Sequence, residues 1–114
     1  MITAATVEAL LAFRRERDWE QFHSPKNLAI ALAVEASEVL QEFEWTTNDG
    51  APRDLAHGRE RLLLEIADVA IILTYLTHDL GIDLDAAFTS KMARNEEKYP
   101  VEKARGSAKK YTEL

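Results

Sequence analysis

Apolar residues recur along most of this chain at intervals of three and four, the spacing that gathers them on one side of an α-helix. Alternation of apolar and polar positions, the mark of a half-buried strand, is nearly absent, and glycine and proline are scarce. The pattern predicts four helices and a tail. The first runs from about Thr3 to Arg17, with Val7, Leu10, Leu11 and Phe13 as its apolar stripe. After a connection at Asp18–His23, Ser24-Pro25 reads as an N-cap followed by proline at the first helical position. The second helix continues to about Trp45 and turns Leu28, Leu32, Val39 and Phe43 toward a core. Asn48-Asp49-Gly50-Ala51-Pro52 has the chemistry of a loop. A third helix begins near Gly58 and ends before Gly81, a fitting C′ glycine. Asp83 caps a fourth, which stops before Pro100. The rest, residues 101–114, reads as an extended, lysine-rich tail with Tyr111 as its aromatic anchor.

The expected architecture is therefore all-α, a four-helix bundle-type fold within a single domain spanning residues 1–114. The third helix adds a condition. From Ile66 to Leu73 it is apolar nearly all the way round, apart from Asp68, and such a helix must be surrounded. Four helices surround one of their number poorly, so a homo-oligomer that completes the core is expected.

Composition narrows the chemistry. The 114 residues contain no cysteine, which excludes disulfides, thiolate metal sites and thiol catalysis. The longest apolar run, Ile66 to Leu76, carries Asp68 and is too short to span a bilayer, and the N-terminus lacks the basic start of a signal peptide. A cytoplasmic protein is the expectation. The formal net charge of −6 argues against a nucleic-acid binder, which would offer phosphates a basic face. A small phosphorylated ligand stays compatible, because bound divalent cations reverse the local field. Positive charge gathers between Lys98 and Lys110.

Four acids carry the candidate chemistry. Glu35 and Glu38 lie three apart on the second helix, and Glu65 and Asp68 three apart on the third, so each pair shares a helix face. Antiparallel neighbours can bring both pairs to one groove. Glu38 sits between Val34 and Val39-Leu40, and Asp68 within Ile66-Ala67-Asp68-Val69-Ala70. Burying one unpaired carboxylate costs several kcal/mol, and clustering four adds repulsion. Cations offset that cost, and oxygen-only ligands select hard ions: magnesium, with manganese as a substitute. The alternative is four exposed acids in ordinary salt bridges. No lysine or arginine lies within four residues of Glu35 or Glu38, whereas Glu65 has Arg61 one turn back. A di-iron carboxylate bundle calls for Glu-x-x-His on two helices, and the one such spacing here, Glu20-x-x-His23, falls in the connection before the second helix. His23, His57 and His78 form no metal or triad pattern, and phosphate-binding glycine motifs are absent.

The pattern Glu35-x-x-Glu38, a spacer, then Glu65-x-x-Asp68 resembles the signature of the MazG-like all-α nucleotide pyrophosphohydrolases. Arg17-Asp18-Trp19-Glu20-Gln21-Phe22-His23, Pro25-Lys26-Asn27-Leu28, Phe43-Glu44-Trp45, Ser90-Lys91-Met92, Asn95, Tyr99-Pro100 and Lys110-Tyr111-Thr112-Glu113-Leu114 extend the likeness to one branch, the dCTP pyrophosphatase group. The resemblance covers nearly all of the chain from Arg17 onward. It implies magnesium-dependent hydrolysis of a nucleoside triphosphate, dCTP or a modified dCTP, to the monophosphate and pyrophosphate, a house-cleaning activity on the nucleotide pool. It implies Glu35, Glu38, Glu65 and Asp68 as metal ligands; a carboxylate not fully used by metal could then act as catalytic base, Glu35 or Glu38, with Glu35 preferred. Trp19 and Trp45 would belong to a base pocket, Lys91 and Asn95 would lie near the phosphates and sugar, and a homotetramer built as a dimer of dimers is typical. Lys109 and Lys110 are weaker candidates for phosphate contact, and His23, before the Ser24-Pro25 cap, for orienting the pocket loop. Where that branch has a pocket histidine and a pocket tyrosine, this chain has Leu10 and Ile72. Read without the resemblance, each tryptophan is a core residue and Lys91 a solvated one. The same fold acting on dUTP or a damaged nucleotide, and a non-catalytic metal-binding interaction module, are the competing readings.

Overall fold

A computed structural model of the chain describes residues 2–46 and 57–114. The elements among its described residues are all helical, without strands. They fall into two compact units, residues 2–81 and 82–114. The predicted loop at Asn48–Pro52 lies outside the described residues.

In the first unit, α1 (Ala4–Glu16) opens on Thr3, whose hydroxyl accepts from the Thr6 amide at 3.2 Å. α2 (Pro25–Gln41) opens on Ser24 in the same way, accepting from the Asn27 amide at 3.2 Å, with Pro25 at the first position. Each hydroxyl satisfies an N–H that the first turn leaves without a helical partner. The connection between them is fixed along its length. Asp18 takes a left-handed φ of 53°, tolerable for aspartate, and its carbonyl and carboxylate each accept from the Gln21 amide group at 2.9 Å. A 3-10 turn at Glu20–Phe22 follows, and the Asn27 side chain donates back to the Phe22 carbonyl at 3.0 Å. Trp19 and His23 sit on this braced segment.

α2 ends at Gln41, four residues sooner than its apolar spacing suggests. From there to Trp45 the chain winds on through turns with tighter i→i+3 bonds, such as Phe43 N to Leu40 O at 3.0 Å. α3 (His57–Asp79) spends its threonine hydroxyls on its own carbonyls, Thr74 to Ala70 at 2.7 Å and Thr77 to Leu73 at 2.9 Å. Those polar groups therefore cost the apolar helix little. Gly81, with φ +64°, takes the chain out of it.

α2 packs on α3 along much of its length, and α1 packs on α3 as well. The contacts Glu42–Arg61 and Glu38–Glu65 run in opposite chain directions, so α2 and α3 are antiparallel. The centre is small: Leu28 and Tyr75 are the buried apolar residues among those described. Leu63, Leu64 and Ile66 on α3, and Ile30 and Val34 on α2, are all about half exposed or more. Among the described residues of this unit, much of the apolar girth of α3 is thus left uncovered.

In the second unit, Asp83 caps α4 (Leu84–Lys98), accepting from the Ala86 amide at 3.1 Å. The stretch expected as an extended tail instead carries one helical turn, α5 (Val101–Ala104), and a 3-10 turn at Tyr111–Glu113. The Tyr111 ring stands edge-on to Tyr99 at 6.0 Å, and the Lys98 ammonium lies 4.7 Å over it. The single aromatic of the tail thereby returns it to the end of α4. No helix among the described residues is long and apolar enough to cross a membrane.

Candidate functional site

Spacing on two antiparallel helices brings three of the four acids together. Carboxylate oxygens of Glu35 and Glu38 from α2 and Glu65 from α3 all lie within 4.8 Å of one another. Asp68, one turn along α3, is close enough to act electrostatically on Glu35 and Glu65. Burial pushes the Glu35 carboxyl above its ordinary range, and the charges of Glu38 and Asp68 push it further. The Glu65 carboxyl is raised by burial, by its contact with Glu38, and by the charges of Asp68 and Glu35. Three carboxylates at this separation cannot all ionise cheaply without a counter-charge.

The nearby arginine does not supply one. Arg61 donates instead to Glu42 at 3.1 Å, so the ordinary salt bridge that sequence spacing left open for Glu65 is not formed. Oε2 of Glu65 is buried without a hydrogen-bond partner. A buried charged oxygen left over in a cluster of oxygen donors is what a hard divalent cation would satisfy. The donor set fits magnesium.

Beside this cluster lies a cavity of about 350 Å³. Leu10 and Phe13 of α1 form one wall, Ile71, Ile72 and Tyr75 of α3 another, and Trp19 and His23 of the braced connection close it. Asp68 completes the lining. The same carboxylate thus belongs both to the cavity wall and to the electrostatic surroundings of the acids. Trp19 is held edge-on to Phe13 at 5.7 Å. Leu10 and Ile72, the positions where the resemblance anticipates a histidine and a tyrosine, are both on the wall, which is correspondingly apolar.

A buried device that sequence reading missed holds α1 to α3 below this cavity. Arg14, only 4 % exposed, donates two bonds of 2.8 Å to the carboxylate of Asp79. Its guanidinium lies 4.6 Å from the centre of the Tyr75 ring. The Tyr75 hydroxyl in turn donates to the Leu10 carbonyl at 2.8 Å. Arg14 holds the Asp79 carboxyl below its ordinary range, chiefly through those hydrogen bonds. A signal was present: Val7, Leu10, Leu11 and Arg14 follow the i, i+3, i+4, i+7 rule, which puts the arginine on the buried stripe.

The remaining candidates are distributed differently. Trp45 is 74 % exposed and is not on the cavity wall with Trp19. Lys91 and Asn95 lie one turn apart on α4 in the second unit, and Lys109 and Lys110 are exposed in its last segment. His57 opens α3, and the His78 ring contacts the neighbouring Asp79 at 3.2 Å.

A model of the MazG-like family matches residues 30–114, a span that holds all four acids. The chain belongs to the MazG-like family. Among its relatives, dCTP pyrophosphatase 1 of Homo sapiens is 47% identical over 105 residues, covering 90% of this chain and 61% of the relative. The protein of the same name from Mus musculus is 43% identical over 104 residues, with the same coverage. This MazG-like chain thus spans about three fifths of the length of the curated relatives it matches. Among solved structures, a pyrophosphatase from Archaeoglobus fulgidus superposes with a TM-score of 0.76 at 35% identity, covering 84% of this chain and 90% of that one.

Proposed function

We propose that this chain is a magnesium-dependent nucleoside triphosphate pyrophosphohydrolase acting on dCTP or a modified dCTP. The observation that carries the reading is the shared position of Asp68, on the wall of an apolar cavity and beside the Glu35–Glu38–Glu65 cluster. A base in the cavity would leave its phosphates beside the acids. The names of the relatives, dCTP pyrophosphatase 1 and a pyrophosphatase, support the same substrate class and reaction.

Glu35, Glu38 and Glu65 would hold magnesium, with Asp68 completing the set. When bound, the ion neutralises phosphate oxygens and makes a nearby water more acidic. The chain's own residues do the rest. The cavity walls orient the base and shut water away from it. Glu35 or Glu38 would take the proton of the attacking water, with Glu35 preferred, through a carboxylate oxygen that the ion leaves unused. That water attacks the α-phosphorus, the bond to the bridging oxygen breaks, and pyrophosphate leaves with the nucleoside monophosphate as the other product. Trp45, Lys91 and Asn95 are assigned to the base, phosphates and sugar on the likeness of their motifs to the family.

The uncovered apolar faces of α2 and α3 support a homo-oligomer, read as a tetramer assembled as a dimer of dimers. Absence of nucleic-acid and membrane partners, and a cytoplasmic location, complete the reading.

Turnover of a panel of dCTP, 5-methyl-dCTP, dUTP, dTTP and dATP, with and without magnesium, tests it. The expected result is pyrophosphate release from the cytosine nucleotides, lost when the metal is chelated and lost in Glu38→Ala with its helical signal unchanged. Full activity of Glu38→Ala, or magnesium binding without turnover of any nucleotide, would overturn it.

A further inference from the structure

Four residues of α3 line the cavity: Asp68, Ile71, Ile72 and Tyr75. Their spacing, i, i+3, i+4 and i+7, sets them on one stripe of the helix, two turns or about 10 Å long. Burial changes along that stripe. Asp68 is exposed, Ile71 and Ile72 are half-buried, and Tyr75 is only 3 % exposed. Phe13 and Trp19, contributed to the wall by other elements, are 44 % and 43 % exposed. The cavity is therefore open toward the acids and the two aromatic rings, and closed at Tyr75.

The closed end is braced. The Tyr75 hydroxyl donates to the Leu10 carbonyl at 2.8 Å, and the His23 ring lies 5.4 Å away, centroid to centroid. The Arg14 guanidinium lies 4.6 Å from the ring centre and is itself fixed by two 2.8 Å bonds to Asp79. A ring turned aside would break the hydroxyl bond and forfeit the cation against its face. Side chains packed in this way yield little to a ligand. An ion pair is also a costly way to join two helices, since apolar residues of similar volume often serve as well. What an apolar pair would not supply is a planar cation held on the Tyr75 ring.

We propose that Tyr75 is a specificity-determining residue that sets the depth of the base cavity, with Arg14 and Asp79 as positioning residues that hold its ring. The inference rests on the nucleotide reading above. With phosphates at the acids, the edge of the base furthest from the sugar is the one that reaches Tyr75. On cytosine that edge carries C4 and C5. The stop admits one six-membered ring and rejects a base lengthened at that edge, by shape and not by a hydrogen bond.

The test compares dCTP with pyrrolo-dCTP, in which a five-membered ring is fused across N4 and C5 while O2, N3 and one N–H are kept. The wild-type chain should favour dCTP by roughly tenfold or more in kcat/KM, the scale on which overpacking is penalised. Tyr75→Ala should raise kcat/KM for pyrrolo-dCTP above the wild-type value and bring the ratio near one. A gain on the larger substrate cannot come from a damaged fold. Tyr75→Leu, which leaves less of the core empty, should move the ratio the same way by a smaller factor. The paired exchange Arg14→Met with Asp79→Leu keeps Tyr75 but removes its brace. It should lower the ratio about threefold through KM for pyrrolo-dCTP, the value of one modest cation–π contact. An unchanged ratio in both Tyr75 variants, or equal losses on both nucleotides, would overturn the stop. Equal losses in the paired exchange would reduce Arg14 and Asp79 to a structural pair and overturn their positioning role. Calorimetric titration with dCMP and pyrrolo-dCMP reads the same preference without turnover. Wild-type chain that hydrolyses neither triphosphate, yet prefers dCMP in a way that Tyr75→Ala abolishes, would overturn the reaction while upholding Tyr75. Equal binding of the two monophosphates by the wild type would sink the stop alone, and binding of neither would sink both.

Discussion

At the scale of single residues, the chain tolerates charges where an apolar side chain would be simpler, and the two cases carry opposite pH signatures. Glu35 and Glu65 hold protons more tightly in the folded chain than in the unfolded one. Without metal, stability therefore falls as pH rises from the ordinary carboxylate range through their raised values. Asp79, whose proton affinity is lowered by Arg14, contributes stability above the ordinary range and loses it as pH falls through its depressed value. Magnesium should reverse only the first effect. Differential scanning fluorimetry should show saturating magnesium raising Tm by several degrees near pH 7.5 and by much less near pH 5; an equal gain at both would remove the ion from this cluster. Arg14→Ala should cost roughly 3 kcal/mol by leaving Asp79 with only the His78 ring beside it. Urea denaturation of the paired exchange Arg14→Met with Asp79→Leu should recover most of that loss. The acids were legible in the sequence because two matched pairs on apolar helices have no cheap ordinary explanation. The place of Arg14 on the apolar stripe was legible too, but its role was not, since nothing in the spacing names a partner 65 positions away.

At the scale of elements, local chemistry set most of the boundaries. Thr3, Ser24-Pro25 and Asp83 open their helices as capping rules require, and Gly81 lies in the short link between α3 and α4. Less legible was the end of α2, where apolar periodicity persists to Phe43 while the backbone tightens into turns after Gln41. Periodicity reports which side is apolar, not which carbonyl each amide chooses. The tail was misread for a related reason: four residues of helix and a tyrosine clasp leave too short a pattern to detect. Gly81 offers a clean probe, because an added Cβ would meet nothing within 4 Å. Gly81→Ala should therefore cost only the backbone term, about 1 kcal/mol by thermal or chemical denaturation. A loss several times larger would mean that something else packs there.

At the scale of the whole molecule, apolar area is left over. Leu63, Leu64 and Ile66 are each more than half exposed on a helix that the sequence already marked as apolar all round, and patches of this kind in soluble chains mark interfaces. The expected outcome is a mass several times that of the chain by light scattering. Leu64→Asp should shift it to a smaller species and lower Tm, because burying an aspartate at such a contact costs several kcal/mol. A wild-type monomer that stays soluble at high concentration would argue against the tetramer.

On the proposed reading, Asp68 would give ion and base a common neighbour, and a common neighbour makes them thermodynamically accountable to each other. A cation drawing the Asp68 carboxylate toward the cluster would alter the wall that the base meets, and a base seated on that wall would alter the carboxylate that the cation meets. Whatever factor magnesium adds to nucleotide affinity, the nucleotide must return to magnesium in full. Each cognate base would thus tighten the metal by its own characteristic amount, so that selection among nucleotides is already under way in the occupancy of the ion, before any bond to phosphorus is broken.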